Sequence, residues 1–297
     1  MADDTTKLED RLDEEIAGLD ALDALDEQLA DGKGGRLGRA WAAAWPKLAA
    51  IGLFLLAWQV VAWTGWKKAV IRDPATALRE LVDIITSSRF TEAFATTSTR
   101  ALIGYGLATM IGTVIGATMW RSSFVRRAFG SFLTGLQSMP SIVWFPLTIA
   151  LFGFTEWAII SVVILGAAPS IGNGLVNGVD HIPPLLTRAG RILGARGFAA
   201  FRHVVLPAAL PSYVAGLKQG WAFAWRSLMA GELIVTMGRA SLGGDLNFAR
   251  ELADYPRLLA MMIVIFAISV LVDSLFFSAI ERRIRRNRGL IEVGATS

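Results

Sequence analysis

No cysteine occurs in the 297 residues, which excludes disulfides, thiol nucleophiles and cysteine metal sites. Histidine is almost as scarce, His181 and His203 being the only two, so no histidine cluster is available to hold a metal. Phosphate-cradling loops are missing as well. No Gly-x4-Gly-Lys-Ser/Thr sequence occurs, and Gly32-Lys33-Gly34-Gly35 lacks both the spacing and the hydroxyl residue that seat a nucleotide's phosphates and magnesium. There is no Gly-x-Ser-x-Gly elbow, no His-Glu-x2-His zinc helix and no glycine-rich dinucleotide turn. Ser170 beside Pro169, and Ser241 before Gly243, therefore read as helix-interface and loop residues. The chain is expected not to be an enzyme and to carry no catalytic residue, cofactor or metal, and no nucleic-acid partner is expected.

What the chain has in abundance is apolar sequence. Hydrophobic residues make up 54% and ten are tryptophan; with a mean hydropathy of +0.49 this is the composition of a membrane protein. The exception is the beginning. Residues 1–31 carry twelve Asp or Glu against Lys7 and Arg11, and Leu8, Leu12, Ile16, Leu19, Leu22, Leu25 and Leu29 recur every three or four positions, as along one face of an acidic amphipathic helix. Such a helix avoids anionic lipid and suits a protein partner. A basic linker follows, so residues 1–35 read as an acidic N-terminal tail, 36–288 as the transmembrane domain and 289–297 as a short C-terminal tail. No signal peptide is expected, since the first apolar run lies behind acidic sequence.

Six segments have the length a bilayer requires, about twenty residues of helix. They fall near 48–66, 101–120, 128–155, 157–179, 207–236 and 258–280. Pro140 and Pro146 must bend or divide the third. The fold class is thus all-α, a polytopic protein of six spans. An even number puts both termini on one side. With that side inside, the inner segments hold 15 Lys and Arg against 8 outside, so both termini are placed in the cytoplasm. Residues 74–87, with Leu78, Leu81, Val82 and Ile85 on one face, predict an external helix lying along the membrane.

The segment between spans four and five, residues 180–206, is too polar to stay in lipid. Arg188, Arg191, Arg196 and Arg202 make it basic, and its apolar residues recur at helical spacing. Short helices are expected there, interrupted by Gly190, Gly194 and Gly197. The sequence Arg188-Ala189-Gly190, then Gly194, then Val204-Val205-Leu206-Pro207 resembles the EAA loop of permease subunits of bacterial ATP-binding cassette importers. It has Arg for the family's Glu, Gly for the second Ala and Val for Ile, with the Gly-to-Leu-Pro interval intact. Residues 97–116 with Ser122, and residues 139–153, look like two further blocks of the permeases that import nitrate, taurine and aliphatic sulfonates. The resemblance covers roughly residues 70–285.

The resemblance implies a type I importer permease, working as a homodimer in the bacterial cytoplasmic membrane. Two separate ABC ATPase subunits and an extracytoplasmic solute-binding protein are the implied partners, with membrane lipid around the spans. ATP binding would close the ATPase pair, move the short helices seated in it and rock the spans between inward and outward openings. The coupling residues it implies are Arg188, Ala189, Gly190, Arg191, Gly194, Arg196 and a turn at Leu206-Pro207. The implied solute is a small organic sulfonate, taurine, nitrate or similar anion; close relatives carry aromatic, pyrimidine-type solutes.

Ionisable groups inside spans are costly and face a protein interior or a water-filled path. They concentrate in the fifth span, where Lys218, Trp221, Trp225 and Glu232 recur at three or four residues and Arg226 lies about 100° round the helix from Trp225. These five are the candidates for lining a translocation path. Cations there would favour an anion and aromatic walls its apolar part. The competing reading pairs Lys218 and Arg226 with Glu232 or Asp273 as helix-to-helix ties. Two other classes compete with the importer: an ion-coupled secondary transporter or channel using Glu232 and Asp273 as proton sites, and a scaffold acting through its acidic tail.

Overall fold

A computed structural model describes residues 36–67, 69–235 and 238–287. The acidic helix expected in the first 31 residues and the C-terminal tail lie outside them. Every regular element among the described residues is helical. Among the described residues five helices are long and apolar enough to span a bilayer, and a bent pair, counted as one span, makes six.

Helix α1, Arg36–Trp63, belongs to a unit of its own. Leu53, Phe54 and Leu56 on its several sides are all exposed, as suits a helix apolar all round whose surroundings are lipid.

The second unit, Gly65–Ala295, begins with α2, Pro74–Thr86, whose N-cap Asp73 accepts hydrogen bonds from the Thr76 N–H and hydroxyl. Pro74 opens the helix where its missing N–H has no intrahelical use. Of the apolar stripe expected on α2, Leu78, Val82 and Ile85 are exposed and Leu81 is half-buried, while the buried Ala77 and Ile84 lie outside that stripe. Helix α3 is Ser88–Arg121. It is longer than the 101–120 expected, because the charge of Arg100, which the sequence reading kept outside the span, is accommodated among acids.

The third span is the bent pair. Helix α4, Ser123–Ser138, ends at Met139, which is held extended by the proline that follows. A 3₁₀ turn, Ser141–Trp144, leads into α5, Phe145–Phe152, with Pro146 in its first turn. The two helical pieces meet at 104°.

Helix α6, Glu156–Asp180, is the core of the unit. Ile159, Val162, Val163, Ala167, Ile171 and Leu175 along it are fully buried, with α3 packed on one side and α9 on the other. Glycines set how close these neighbours come. A Cβ on Gly174 would stand 2.5 Å from the Gly216 Cα of α9, and one on Gly112 of α3 would stand 2.5 Å from the Ala168 carbonyl. Backbones thus touch directly, the packing used where lipid supplies no hydrophobic drive between helices. Tyr105 and Thr113 of α3 add hydrogen bonds to the Leu217 carbonyl and the Tyr213 hydroxyl.

After α7, Pro184–Ile192, and α8, Gly197–Ala200, a π-helical turn at Phe201–Val205 runs straight into α9, Leu206–Ile234. The turn expected at Leu206-Pro207 is therefore absent, and one helix continues from Gly197 to Ile234. The wider π register just before Pro207 relieves the clash its ring would make with the preceding turn. Helix α10, Leu242–Glu251, precedes α11, Tyr255–Leu271. A second π turn, Val272–Phe277, links α11 to α12, Ser278–Asn287.

Candidate functional site

The 180–206 loop folds as its glycines dictate. Helix α7 ends in a two-bond glycine cap: the Gly194 N–H donates to the Arg191 carbonyl at 3.1 Å and the Ala195 N–H to the Gly190 carbonyl at 2.9 Å. Gly194 has φ +84, where a side chain is strained against its own backbone. Nothing lies within 4 Å of the place its Cβ would take, so the demand for glycine is purely conformational. Gly190 answers a different need, since a Cβ there would meet Val204 Cγ2 at 2.8 Å. Folded this way, α7 exposes Leu185, Arg188, Ala189 and Ile192 together with the neighbouring Leu193 and Phe198. Ile192 and Leu193 are each 86% accessible, an apolar tip of the kind that seats in a protein partner. Thr187, the buried Gly190 and the exposed Arg191 line a cavity together with Arg196 and Trp120. Leu206 is half-buried and Pro207 exposed, both within the continuous helix.

The five path candidates are separated by the structure. Trp221 and Trp225 are buried with their rings stacked 6.0 Å apart, and Tyr105 meets Trp221 edge-on at 5.3 Å. Lys218 lies 3.4 Å from Asp273 and 3.7 Å from Glu281. Glu232 is buried and bonded to Arg100. Arg226 alone of the five is exposed. Its Nε donates to the Ala222 carbonyl and its guanidinium lies 4.8 Å from the Phe223 ring centroid. It borders a cavity of about 380 Å³ between α9 and the break after α4, shared with Gln137, Ser141 and Ile142. Gln137 also lines an adjoining cavity of about 490 Å³, walled by Ser170, Asn173 and Asn177 of α6 and by Ser212 and Gln219 of α9. The Asn173 amide donates to the Gln137 side-chain oxygen, whereas the buried Ser170 hydroxyl has no partner among the described residues. Among the described residues no group of three or more potential ligands could hold a metal ion.

Residues 108–286 match the family described as "Binding-protein-dependent transport system inner membrane component". The chain belongs to this family. It is 30% identical over 174 residues to an ABC transporter permease protein of Methanocaldococcus jannaschii, an alignment spanning 59% of this chain and 65% of that one. The aliphatic sulfonates transport permease protein SsuC of Bacillus subtilis is 28% identical over 237 residues, covering 79% of this chain and 84% of its own. The taurine transport system permease protein TauC of Escherichia coli is 27% identical over 224 residues, with 74% and 80% covered. Among solved structures, the inward-facing MetNI methionine ABC transporter aligns with a TM-score of 0.52 at 22% identity, over 65% of this chain and 93% of that one. That likeness concerns the fold.

Two features of this permease escaped the sequence reading. The first is the ion cluster at the opposite end of α9 from the loop. Arg100 of α3 is 3% exposed and donates to Glu232 at 2.9 Å and to Glu156 at 3.2 Å. Glu232 also accepts the Thr97 hydroxyl and the Gly243 N–H, and Thr97 accepts the Leu242 N–H. Glu232 and Thr97 thereby cap α10, a carboxylate at the positive end of a helix. Arg239 reaches Glu156 at 3.5 Å. The second is the uncharged polar lining. Ser170, Asn173 and Asn177 recur at helical spacing inside an apolar span, as do Ser212 and Gln219. That periodicity was visible, but a search restricted to charges passes over it.

Proposed function

We propose that this permease moves a small anionic solute of the organic sulfonate, taurine or nitrate type inward across the cytoplasmic membrane. It works by alternating access, as a homodimer with both termini in the cytoplasm. The observation that carries the solute class is Arg226, a cation with no acid partner among the described residues, which borders one cavity inside the spans beside a second that is lined by amides. An unmatched cation favours an anion, and Gln137, Asn173, Asn177 and Gln219 of the adjoining cavity offer hydrogen bonds without a fixed counter-charge. The sulfonate and taurine permeases among its relatives support the same class.

The partners are an ABC ATPase and an extracytoplasmic binding protein. The exposed apolar tip of α7, with Arg188 and Ala189 on the same face, docks on the ATPase. Motion there is transmitted by the unbroken helix from Gly197 to Ile234, about 57 Å at 1.5 Å per residue. Its far end carries Glu232, so a displacement of the loop acts on the bond to Arg100 and on the cap of α10. Closing the ATPase pair loosens that outer cluster and admits solute, and hydrolysis restores it. An ion-coupled carrier would need Glu232 or Asp273 free to exchange a proton, yet Arg100 and Lys218 hold them.

Reconstitution in liposomes with the ATPase and binding protein tests this reading. Hydrolysis stimulated only by loaded binding protein, with Arg226→Gln raising the half-saturating solute concentration about tenfold, is the expected result. Flux that follows an ion gradient without ATP would overturn it.

A further inference from the structure

A cavity of about 540 Å³, whose walls include the coupling-loop residues Gly190, Arg191 and Arg196, is not used as a cavity in the transport reading. It lies between the cytoplasmic end of α3 and the back of the coupling loop. Arg121, Arg191 and Arg196 line it together with Trp120, and no acidic residue does. None of these arginines is ion-paired to an acid among the described residues, whereas Arg126 close by on α4 is matched with Asp180. Three exposed arginines lining one cavity without an acidic residue among its walls repel one another unless an anion joins them. Guanidinium forks match tetrahedral oxyanions in particular.

The walls suit such a guest. Trp120 is half-buried, with its ring 5.7 Å from that of Phe201, and gives the cavity an apolar side. Trp120-Arg121 closes the span α3, the level at which tryptophan marks the membrane interface and lipid headgroups lie. The division of α7 matters as well. Arg188 and Arg191 are both exposed, but only Arg191, with Thr187 and Gly190, lines the cavity.

We propose that this cavity binds a phosphate-type oxyanion, supplied either by the headgroup of an anionic phospholipid or by a free anion in the cytoplasm. Occupancy joins Arg121 of α3 to Arg191 and Arg196 of the loop, and so makes the position of the coupling helix depend on the anion beneath it. Basic pockets between spans on the cytoplasmic side are the ordinary form of such recognition.

The full-length chain, stripped of lipid in neutral detergent, is melted with and without inorganic phosphate at constant ionic strength. In parallel it is melted in phosphatidylcholine nanodiscs with and without phosphatidylglycerol. Protection by phosphatidylglycerol alone identifies a lipid site, and protection by phosphate alone a free-anion site; either supports the proposal. The R121Q/R196Q variant is expected to weaken the effective ligand by about thirtyfold. R121K/R196K should retain most of the effect, and R127Q/R283Q, elsewhere on the basic surface, should retain all of it. If neither ligand protects the natural chain, or R121Q/R196Q responds as the natural chain does, the site does not exist. The readout needs no ATPase, so its failure is distinct from failure of the transport reading.

Discussion

Replacing Glu232 with alanine removes the hub of the Arg100–Glu232 cluster, and the structure gives the size of the loss. The carboxylate is 1% exposed and receives Arg100, the Thr97 hydroxyl and the Gly243 N–H, all at 2.9 or 3.0 Å. Breaking a buried pair by deleting one member costs about 3–5 kcal/mol, since the other charge stays behind unmatched. Arg100 keeps Glu156 at 3.2 Å, a half-exposed acid, which places the expected loss at about 3 kcal/mol. For a protein of this size that is a fall in melting temperature of roughly 6–12 °C, measured by size-exclusion chromatography of the heated chain in detergent. Glu232→Gln keeps an oxygen for the Gly243 N–H and loses the charge, so it should fall between. The double replacement R100L/E232L should be at least about 1 kcal/mol more stable than the two single leucine variants predict by addition, because no charge is left stranded. A melting temperature for Glu232→Ala within about 2 °C of the natural chain, or strict additivity of the leucine pair, would refute this account.

Gly194→Leu puts a side chain at φ +84, at a strain of roughly 1–3 kcal/mol, and should leave ATP hydrolysis intact while removing its stimulation by loaded binding protein. Gly194→Asn should be milder, since asparagine tolerates this region; normal coupled uptake by the leucine variant would dismiss the loop's role. Gly174→Ala drives a Cβ against the Gly216 backbone at 2.5 Å and should destabilise by about 1–3 kcal/mol. Gly106→Ala, with open space around it, serves as the neutral control in the same melting assay. Asp73 caps α2, and the Thr76 hydroxyl and then the Thr76 N–H hold its carboxyl below the ordinary aspartate value. A depressed folded value means that the cap contributes fully above the unfolded value and is lost as pH falls through the lower folded one. The difference in melting temperature between the natural chain and Asp73→Ala should therefore persist from pH 7 to about pH 4.5 and shrink below pH 4. A difference independent of pH would remove the charge from the explanation.

Much of this protein follows from local rules that sequence alone obeys. Apolar runs of spanning length must become helices in lipid. Pro140 had to break the third crossing, and Gly194 and Gly197 had to interrupt the loop, whereas Gly190, expected to do the same, stays inside α7. Those outcomes depend on composition, charge cost and backbone conformation within a few residues. Helical spacing also fixes the angle between Trp225 and Arg226 on α9. What it leaves undetermined is how α9 is turned about its own axis, and hence which of the two is buried. Contact with other helices decided that: Gly174 against Gly216 sets the rotation, and the Trp221–Trp225 stack goes inward while Arg226 is left accessible. The bond between Arg100 and Glu232 joins residues 132 positions apart, and a charge at the edge of a span reads as a boundary until its partner is known. Even Leu206-Pro207, a helix breaker by propensity, was carried through by a π turn. The sequence determined the pieces, because each depends on its own neighbours along the chain; their mutual rotation and the meeting of distant charges arose only where three helices pack backbone to backbone.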